Sequence, residues 1–382
     1  MTETKYLIVG GGMTGDAAAK GIRDADPDGR IVLVSEERHA PYARPPLSKA
    51  LWSGKEESSI WRGTEETGAE LRLGRRIVSL DLDAHEAVDD AGETYRYEKL
   101  LLATGGRPRR LPFGEGIVYY RTLDDYHALR ERAGDGAHVV VIGGGFIGSE
   151  IAAALASNGA KVTMVFPEDG VCARVFPLEL SQSVNDYYRE RGVDVRAGAL
   201  VEGIDGTNVV LGDREILEAD VIVAGLGIEP NVDLANDAGL AVENGIVVDE
   251  YGRVDGHDDV FAAGDVARFP LSGFGTDVRI EHEDHAKSHG RRVGANMAGD
   301  LQPYDHVPFF YSDLFDLGYE AVGELDSRLE TVGEVADLAG KATIWYVDGD
   351  RRPRGALLWN TFGKVDEATE AIRAGQPLAV GT

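Results

Sequence analysis

The chain of 382 residues contains a single cysteine, Cys172. One thiol excludes an internal disulfide, a CxxC redox pair and a cysteine-ligated zinc or iron–sulfur centre. No run of about 18 apolar residues occurs, so no membrane-spanning helix is expected. Cations are scarce as well: 39 Lys and Arg stand against 66 Asp and Glu, a formal net charge of −27. Direct nucleic-acid binding is therefore not expected. The acids are dispersed (Asp24, Asp26 and Asp28; Glu65 and Glu66; Asp89 and Asp90; Asp258 and Asp259). Dispersed charge of one sign acts on solubility more than on one site, which favours a halophilic surface over an acidic functional face. A first strand at Tyr6–Val9 leaves no room for a secretion signal, so a cytoplasmic location is expected.

With 49 glycines and 43% hydrophobic residues, the composition suits a turn-rich α/β protein of two or three domains. An internal repeat organises it. An apolar strand from Tyr6 runs into Gly10-Gly11-Gly12-Met13-Thr14-Gly15, then a helix over Asp16–Arg23 and a strand over Ile31–Val34. A second strand from His138 runs into Gly143-Gly144-Gly145-Phe146-Ile147-Gly148, then a helix over Ser149–Ser157 and a strand over Lys161–Phe166. Further strands are expected at Ile77–Leu82, Leu100–Ala103, Val193–Ala197, Val221–Ala224 and Val260–Ala263. From about Tyr304 the pattern becomes short strands, Phe309–Tyr311, Glu320–Leu325, Thr343–Tyr346 and Gly355–Asn360, closed by a helix over Val365–Ala374. The fold expected is two nested Rossmann-like dinucleotide-binding domains plus a small C-terminal α+β domain. Residues 1–115 with 240–303 form the first, 116–239 the second and 304–382 the third.

Each glycine motif lies between a strand and a helix, the context in which backbone meets a pyrophosphate and the helix N-terminus attracts it. Each is followed by an acid just past the next strand, Glu36 and Glu168, placed to accept from adenosine ribose hydroxyls. A carboxylate at 168 also repels a 2′-phosphate and favours NADH, whereas Arg174 nearby could serve one. Two dinucleotide sites imply FAD held permanently and NADH bound transiently, with hydride passing to the flavin. Ala103-Thr104-Gly105-Gly106 reads as the bend leaving the first unit, and Ala263-Gly264-Asp265 as a late marker whose acid could meet the flavin ribityl chain.

These features, with Pro41-Tyr42-Ala43-Arg44-Pro45-Pro46-Leu47-Ser48-Lys49, Phe166-Pro167-Glu168, Glu281-His282-Glu283-Asp284-His285, Ser312-Asp313-Leu314, Gly318-Tyr319-Glu320 and Leu358-Trp359-Asn360, resemble a known family. It is the family of flavoprotein reductases with two dinucleotide domains, in the branch of apoptosis-inducing factor and the ferredoxin reductases of Rieske oxygenases. The resemblance implies FAD contacts at Gly10, Gly11, Gly12, Met13, Thr14, Gly15, Glu36, Glu37, Arg44, Ile77, Thr104, Gly105, Arg121 and Asp265. It implies NADH contacts at Gly144, Gly145, Phe146, Ile147, Glu168, Arg174 and Gly227. Glu281, His282 and Glu283 would meet both cofactors, and Glu320 and Asn360 would lie on the nicotinamide side. Tyr311 stands where the animal apoptosis-inducing factor has a tryptophan, so an aromatic platform of smaller area is expected. Lys49 and Glu150 are expected to pair beside the flavin as the catalytic residues, the lysine favouring negative charge on the reduced ring.

Cys172 follows the ribose acid Glu168 rather than the flavin block, and is expected to be inert. Electrons must then leave for an external acceptor: a [2Fe–2S] ferredoxin, a quinone or oxygen. The alternative is a redox-gated interaction protein like apoptosis-inducing factor, in which NADH reduction controls conformation or dimerisation. A monomer or homodimer is expected. His282, His285 and His289 share helical spacing, but no metal is expected. Arg107, Arg109 and Arg110, and Arg351, Arg352 and Arg354, read as solvated surface or as docking patches for an acidic partner.

Overall fold

The computed structural model describes residues 1–271 and 277–379. The chain divides into two compact units. The first comprises Met1–Ala43, Glu57–Arg107 and Glu229–Pro308, and the second Arg44–Glu56, Pro108–Ile228 and Phe309–Thr382.

In the first unit, Thr2–Val9 pairs in parallel with Ile31–Ser35 on one side and with Thr94–Leu102 on the other. Glu70–Leu73 extends the sheet beyond Ile31–Ser35. The long strand Thr94–Leu102 serves two partners. Its start pairs antiparallel with Glu86–Asp89, and its end pairs parallel with Val260–Ala262. The central stretches Tyr6–Val9, Ile31–Val34, Leu100–Leu102 and Val260–Ala262 are apolar and buried, as two-sided burial requires. The helix Met13–Ala25 lays Ala18, Ala19 and Ile22 onto Tyr6, Ile8, Leu33 and Leu101, with Phe261 and Val293 in the same core. Residues 77–81 are a strand, as expected, but form a hairpin with Glu86–Asp89 at the sheet's edge.

The second unit repeats the plan. His138–Ile142 lies between Lys161–Phe166 and Val221–Ala224, all parallel, with Asp194–Ala197 and Val118–Tyr119 at the edges. A three-stranded antiparallel sheet, Val201–Asp205, Asn208–Leu211 and Ile216–Glu218, sends Val201, Val209, Leu211 and Leu217 into the core formed with Val140, Val165 and Ile222. The same unit holds a five-stranded antiparallel sheet built from Phe309–Leu314, Leu317–Gly323, Pro353–Trp359, Ala342–Val347 and Glu330–Val332, in that order. The helix Val365–Ala374 packs on it and ends at Gly375, which takes the left-handed conformation that a glycine tolerates. Among the described residues, no helix is long and apolar enough to cross a membrane.

Candidate active site

The two glycine motifs adopt the same geometry in their own units. Gly10 and Gly143 have φ of +119° and +115°. A Cβ on Gly10 would lie 2.1 Å from the Ala103 carbonyl oxygen, and one on Gly143 would lie 2.4 Å from that of Gly225. Gly15 and Gly148 are closed off in the same way, by the carbonyls of Gly10 and Gly143 at 2.1 and 2.0 Å. Gly12 and Gly145 differ: a Cβ there would meet nothing within 4 Å. The backbone at these two positions is bare toward open space, where a pyrophosphate can approach closely.

Both helices begin inside the motif, at Met13 and Phe146, earlier than the expected Asp16 and Ser149. The reason lies in Gly12 and Gly145, which are extended and serve as N-caps without a side chain. The first-turn N–H groups are thus left for an external acceptor, and the helix dipole adds attraction for an anion. The protein therefore fits two bound dinucleotides on its own steric grounds.

Around the first cradle, Glu36 is exposed just past Ile31–Ser35, and Glu37 accepts from the Tyr42 hydroxyl at 2.5 Å. Ile77 is buried at the start of its hairpin. The Thr104 hydroxyl donates to the Asn231 carbonyl at 2.8 Å. Asn231 in turn donates to the Thr104 carbonyl and, through its backbone N–H, to that of Gly105. Gly264 packs against Thr14, and its N–H donates to His289 Nδ1 at 3.3 Å. The helix Glu283–Met297 crosses Met13–Ala25 where Gly290 and Gly294 approach the carbonyls of Thr14 and Ala18. Arg279 donates to the Asp265 carbonyl at 3.0 Å and pairs with Glu281 at 2.6 Å.

The histidines of this helix are core groups. His285 and His289 are fully buried among Phe269 and Tyr304, and His285 Nδ1 lies 3.1 Å from the Tyr304 hydroxyl. Burial holds His289 down to about 3 and His285 well below the ordinary value, so both are neutral near pH 7, and the half-buried His282 that precedes the helix is lowered to about 4. Sequence reading also missed Asp16. This fully buried carboxylate is held by Arg62 at 2.5 Å, Lys20 at 3.0 Å and the Thr64 hydroxyl at 2.8 Å.

In the second unit, Glu168 follows Lys161–Phe166 and pairs with Arg174 at 3.0 Å. The arginine is 88% exposed, so the contact is a loose surface one. Gly227 has φ of +79° and accepts from the Arg109 N–H. Arg44 Nη1 donates to the Arg121 carbonyl at 2.9 Å. Glu320 accepts from the Gly363 N–H at 3.1 Å. Asn360 uses its whole amide internally: Oδ1 accepts from Gly318, and Nδ2 donates to the carbonyls of Leu338 and Gly340. Cys172 is buried under the second motif, its N–H donating to the Gly144 carbonyl, and desolvation pushes its thiol up to about 12. It is therefore a protonated thiol near neutral pH, without nucleophilic character.

Lys49 and Glu150 come together here. Pro45-Pro46 opens a short 3-10 turn, Pro45–Ser48, that ends at Lys49. The turn is anchored where the Tyr120 hydroxyl donates to the Leu47 carbonyl at 2.5 Å and Asn158 donates to the Trp52 carbonyl at 3.1 Å. Lys49 Nζ bonds Glu150 Oε1; the side chains are 13% and 7% exposed. Glu150 also accepts from two hydroxyls, Ser48 on Oε2 and Ser312 on Oε1, each at 2.5 Å. The Tyr311 ring, 42% exposed, lies 5.6 Å from Lys49 Nζ.

Three of the six arginines in the two basic clusters pair with acids. Arg107 pairs with Glu229 and Asp233, Arg351 with Glu330, and Arg354 with Glu324.

Two dinucleotide cradles in one α/β chain define an FAD-dependent oxidoreductase that uses NAD(P)H. Residues 4–290 match the pyridine nucleotide-disulphide oxidoreductase family, and the chain belongs to it. Residues 293–345 match the C-terminal region of mitochondrion-associated apoptosis-inducing factor. The chain is 35% identical over 390 residues to the ferredoxin–NAD(+) reductase component of the anthranilate 1,2-dioxygenase system of Burkholderia cepacia, covering 98% of this chain and 95% of that one. To mitochondrial apoptosis-inducing factor 1 of Dictyostelium discoideum it is 33% identical over 416 residues, covering 96% and 78%. The covalent putidaredoxin reductase–putidaredoxin complex superposes with a TM-score of 0.92 at 31% identity, covering 99% of this chain and 95% of that one.

Proposed function

We propose that this protein is an NADH-dependent reductase that passes electrons from FAD to a soluble [2Fe–2S] ferredoxin in the cytoplasm of a halophilic cell. The observation that carries the reading is the state of Cys172. The one thiol of the chain is buried and held protonated. No internal dithiol can take electrons from the flavin, so an external acceptor must. The chain matches the ferredoxin reductase relatives over nearly their whole length, which supports a ferredoxin as that acceptor.

Gly10–Gly15 would hold the FAD diphosphate, with Glu36 on the ribose and Arg44, Arg121 and Asp265 as further contacts. Gly144–Ile147, Glu168 and Gly227 would hold NADH. Bound FAD supplies two-electron acceptance from nicotinamide and release of electrons singly or in pairs. Lys49 would present its ammonium to the reduced ring, with Glu150 holding it in place. The match to the C-terminal region of apoptosis-inducing factor favours a second reading, a redox-gated interaction protein with incidental turnover.

Anaerobic stopped-flow reduction with NADH, followed by addition of a [2Fe–2S] ferredoxin, separates the two. Rapid reoxidation by ferredoxin supports the reductase. A long-lived charge-transfer band that no acceptor discharges, together with an NADH-dependent change in oligomeric state, overturns it.

A further inference from the structure

We propose that Ser312, with Ser48, is a positioning residue that fixes the Glu150 carboxylate and so aims the Lys49 ammonium. The inference rests on the reading of Lys49 as the charge presented to the flavin.

The strand Phe309–Leu314 alternates near its end: Tyr311 and Asp313 point outward, while Ser312 and Leu314 are buried. Packing alone would place an apolar side chain at both inward positions. A hydroxyl there has to find a partner, and Ser312 spends its proton on Glu150 Oε1 at 2.5 Å. Ser48 is buried too, and gives its proton to the other oxygen at the same distance. Glu150 is thus saturated by three donors from two other segments: Ser48 and Lys49 on the 3-10 turn, and Ser312 on the C-terminal sheet.

Charge-assisted O–H···O⁻ bonds of this length are strong and directional. Together they fix the plane of a carboxylate that an ammonium alone would leave free to turn. Lysine is a point charge on a flexible four-carbon stem, so its position is only as definite as its anchor. With Oε1 pinned by Ser312, Lys49 Nζ has one place to sit, 3.5 Å from the Ser312 hydroxyl and 5.6 Å from the Tyr311 ring. The hydroxyls also draw off part of the Glu150 charge, leaving more of the ammonium's field for the reduced ring.

The test uses the FAD-loaded full chain with Ser312→Ala, Ser312→Thr, Ser48→Ala and Lys49→Ala side by side. Three quantities are measured: the flavin reduction rate at saturating NADH, the NADH affinity from the saturation curve, and the midpoint potential. Removing one such bond is expected to slow Ser312→Ala about tenfold, with NADH affinity within about twofold of the parent, since no cofactor contact is lost. Its potential should move in the same direction as that of Lys49→Ala and by less. Ser312→Thr, which keeps the hydroxyl, should restore both. Ser48→Ala reports on the other oxygen and serves if Ser312→Ala does not fold. Parent-like rate and potential in both alanine variants, with Lys49→Ala shifted, would overturn the positioning role and leave the reading of Lys49 standing. If Lys49→Ala is also unshifted, both fail.

Discussion

Replacing Lys49 with alanine removes the ammonium bonded to Glu150 Oε1 but leaves the Ser48 and Ser312 hydroxyls in place. Breaking a buried ion pair usually costs about 3–5 kcal/mol, because the surviving charge is stranded. Here the stranded carboxylate keeps two donors, so the loss in stability should fall at or below the low end of that range. Its negative charge, however, is no longer offset. The reduced flavin then loses a charge-assisted contact worth about 1.5–3 kcal/mol, which converts to a drop in two-electron potential of about 30–65 mV. FAD content should hardly change, since the first glycine cradle does not include Lys49. Lys49→Arg keeps the charge and should shift the potential less, whereas Glu150→Ala should raise it slightly and disturb NADH binding. Spectroelectrochemical titration against an indicator dye gives the answer directly. A Lys49→Ala potential within about 10 mV of the parent would make the pair structural and refute the site assignment.

Other consequences can be checked with the same material. Glu168→Ala should narrow the preference for NADH over NADPH in flavin reduction by about tenfold; a parent that already prefers NADPH would show that Arg174 governs the site. Gly145→Ala should fold normally yet bind NADH poorly, because the added methyl meets only open space. Gly144→Ala should lower the melting temperature, since its Cβ would lie 2.7 Å from the Phe166 ring; equal stability of the two variants would refute the division of roles. Buried neutral histidines give stability that is present above pH 6.5 and lost as pH falls toward their depressed folded values. Each can cost about 2 kcal/mol by pH 5, so His289→Leu should flatten the fall in melting temperature between pH 7 and 5. An unchanged slope would count against the assignment.

The repeated strand–glycine–helix unit was legible because one steric demand produces one pattern. Gly10 and Gly143 must take positive φ against a neighbouring carbonyl, and Gly12 and Gly145 must stay bare, so the same residues recur in both units. The helices start earlier than the sequence suggests because glycine is a poor helix former, yet its service as an N-cap outweighs propensity at that position. Leu178–Glu190 and the sheet over 201–218 are amphipathic but lie outside the repeated motif, and in strands as short as Val201–Asp205, Asn208–Leu211 and Ile216–Glu218 alternation does not separate strand from loop. Ser48 and Ser312 lie inside motifs that carry the family resemblance, but the sequence gives neither a role. A lone serine has no pattern of its own; only the fold shows that both face one carboxylate. Asp16 was hidden for a related reason, since its partners Arg62 and Thr64 lie far along the chain.

The net charge of −27 bears on the acceptor in a way that neither motif nor fold decides. At low ionic strength, two acidic proteins repel over a Debye length of about 10 Å at 0.1 M salt. Three of the clustered cations that could offset this locally, Arg107, Arg351 and Arg354, are already paired with acids. At molar salt the screening length falls to about 3 Å, and association depends on short-range contacts instead. Reduction of an acidic ferredoxin by this protein should therefore speed up with KCl through its second-order rate, while the NADH half-reaction at saturation changes little. That is opposite in sign to an electrostatically steered pair, whose association slows as salt is added. Stopped-flow traces of ferredoxin reduction between low and molar KCl make the comparison. A second-order rate that falls with salt would mean that a cationic docking patch governs the encounter despite the net charge.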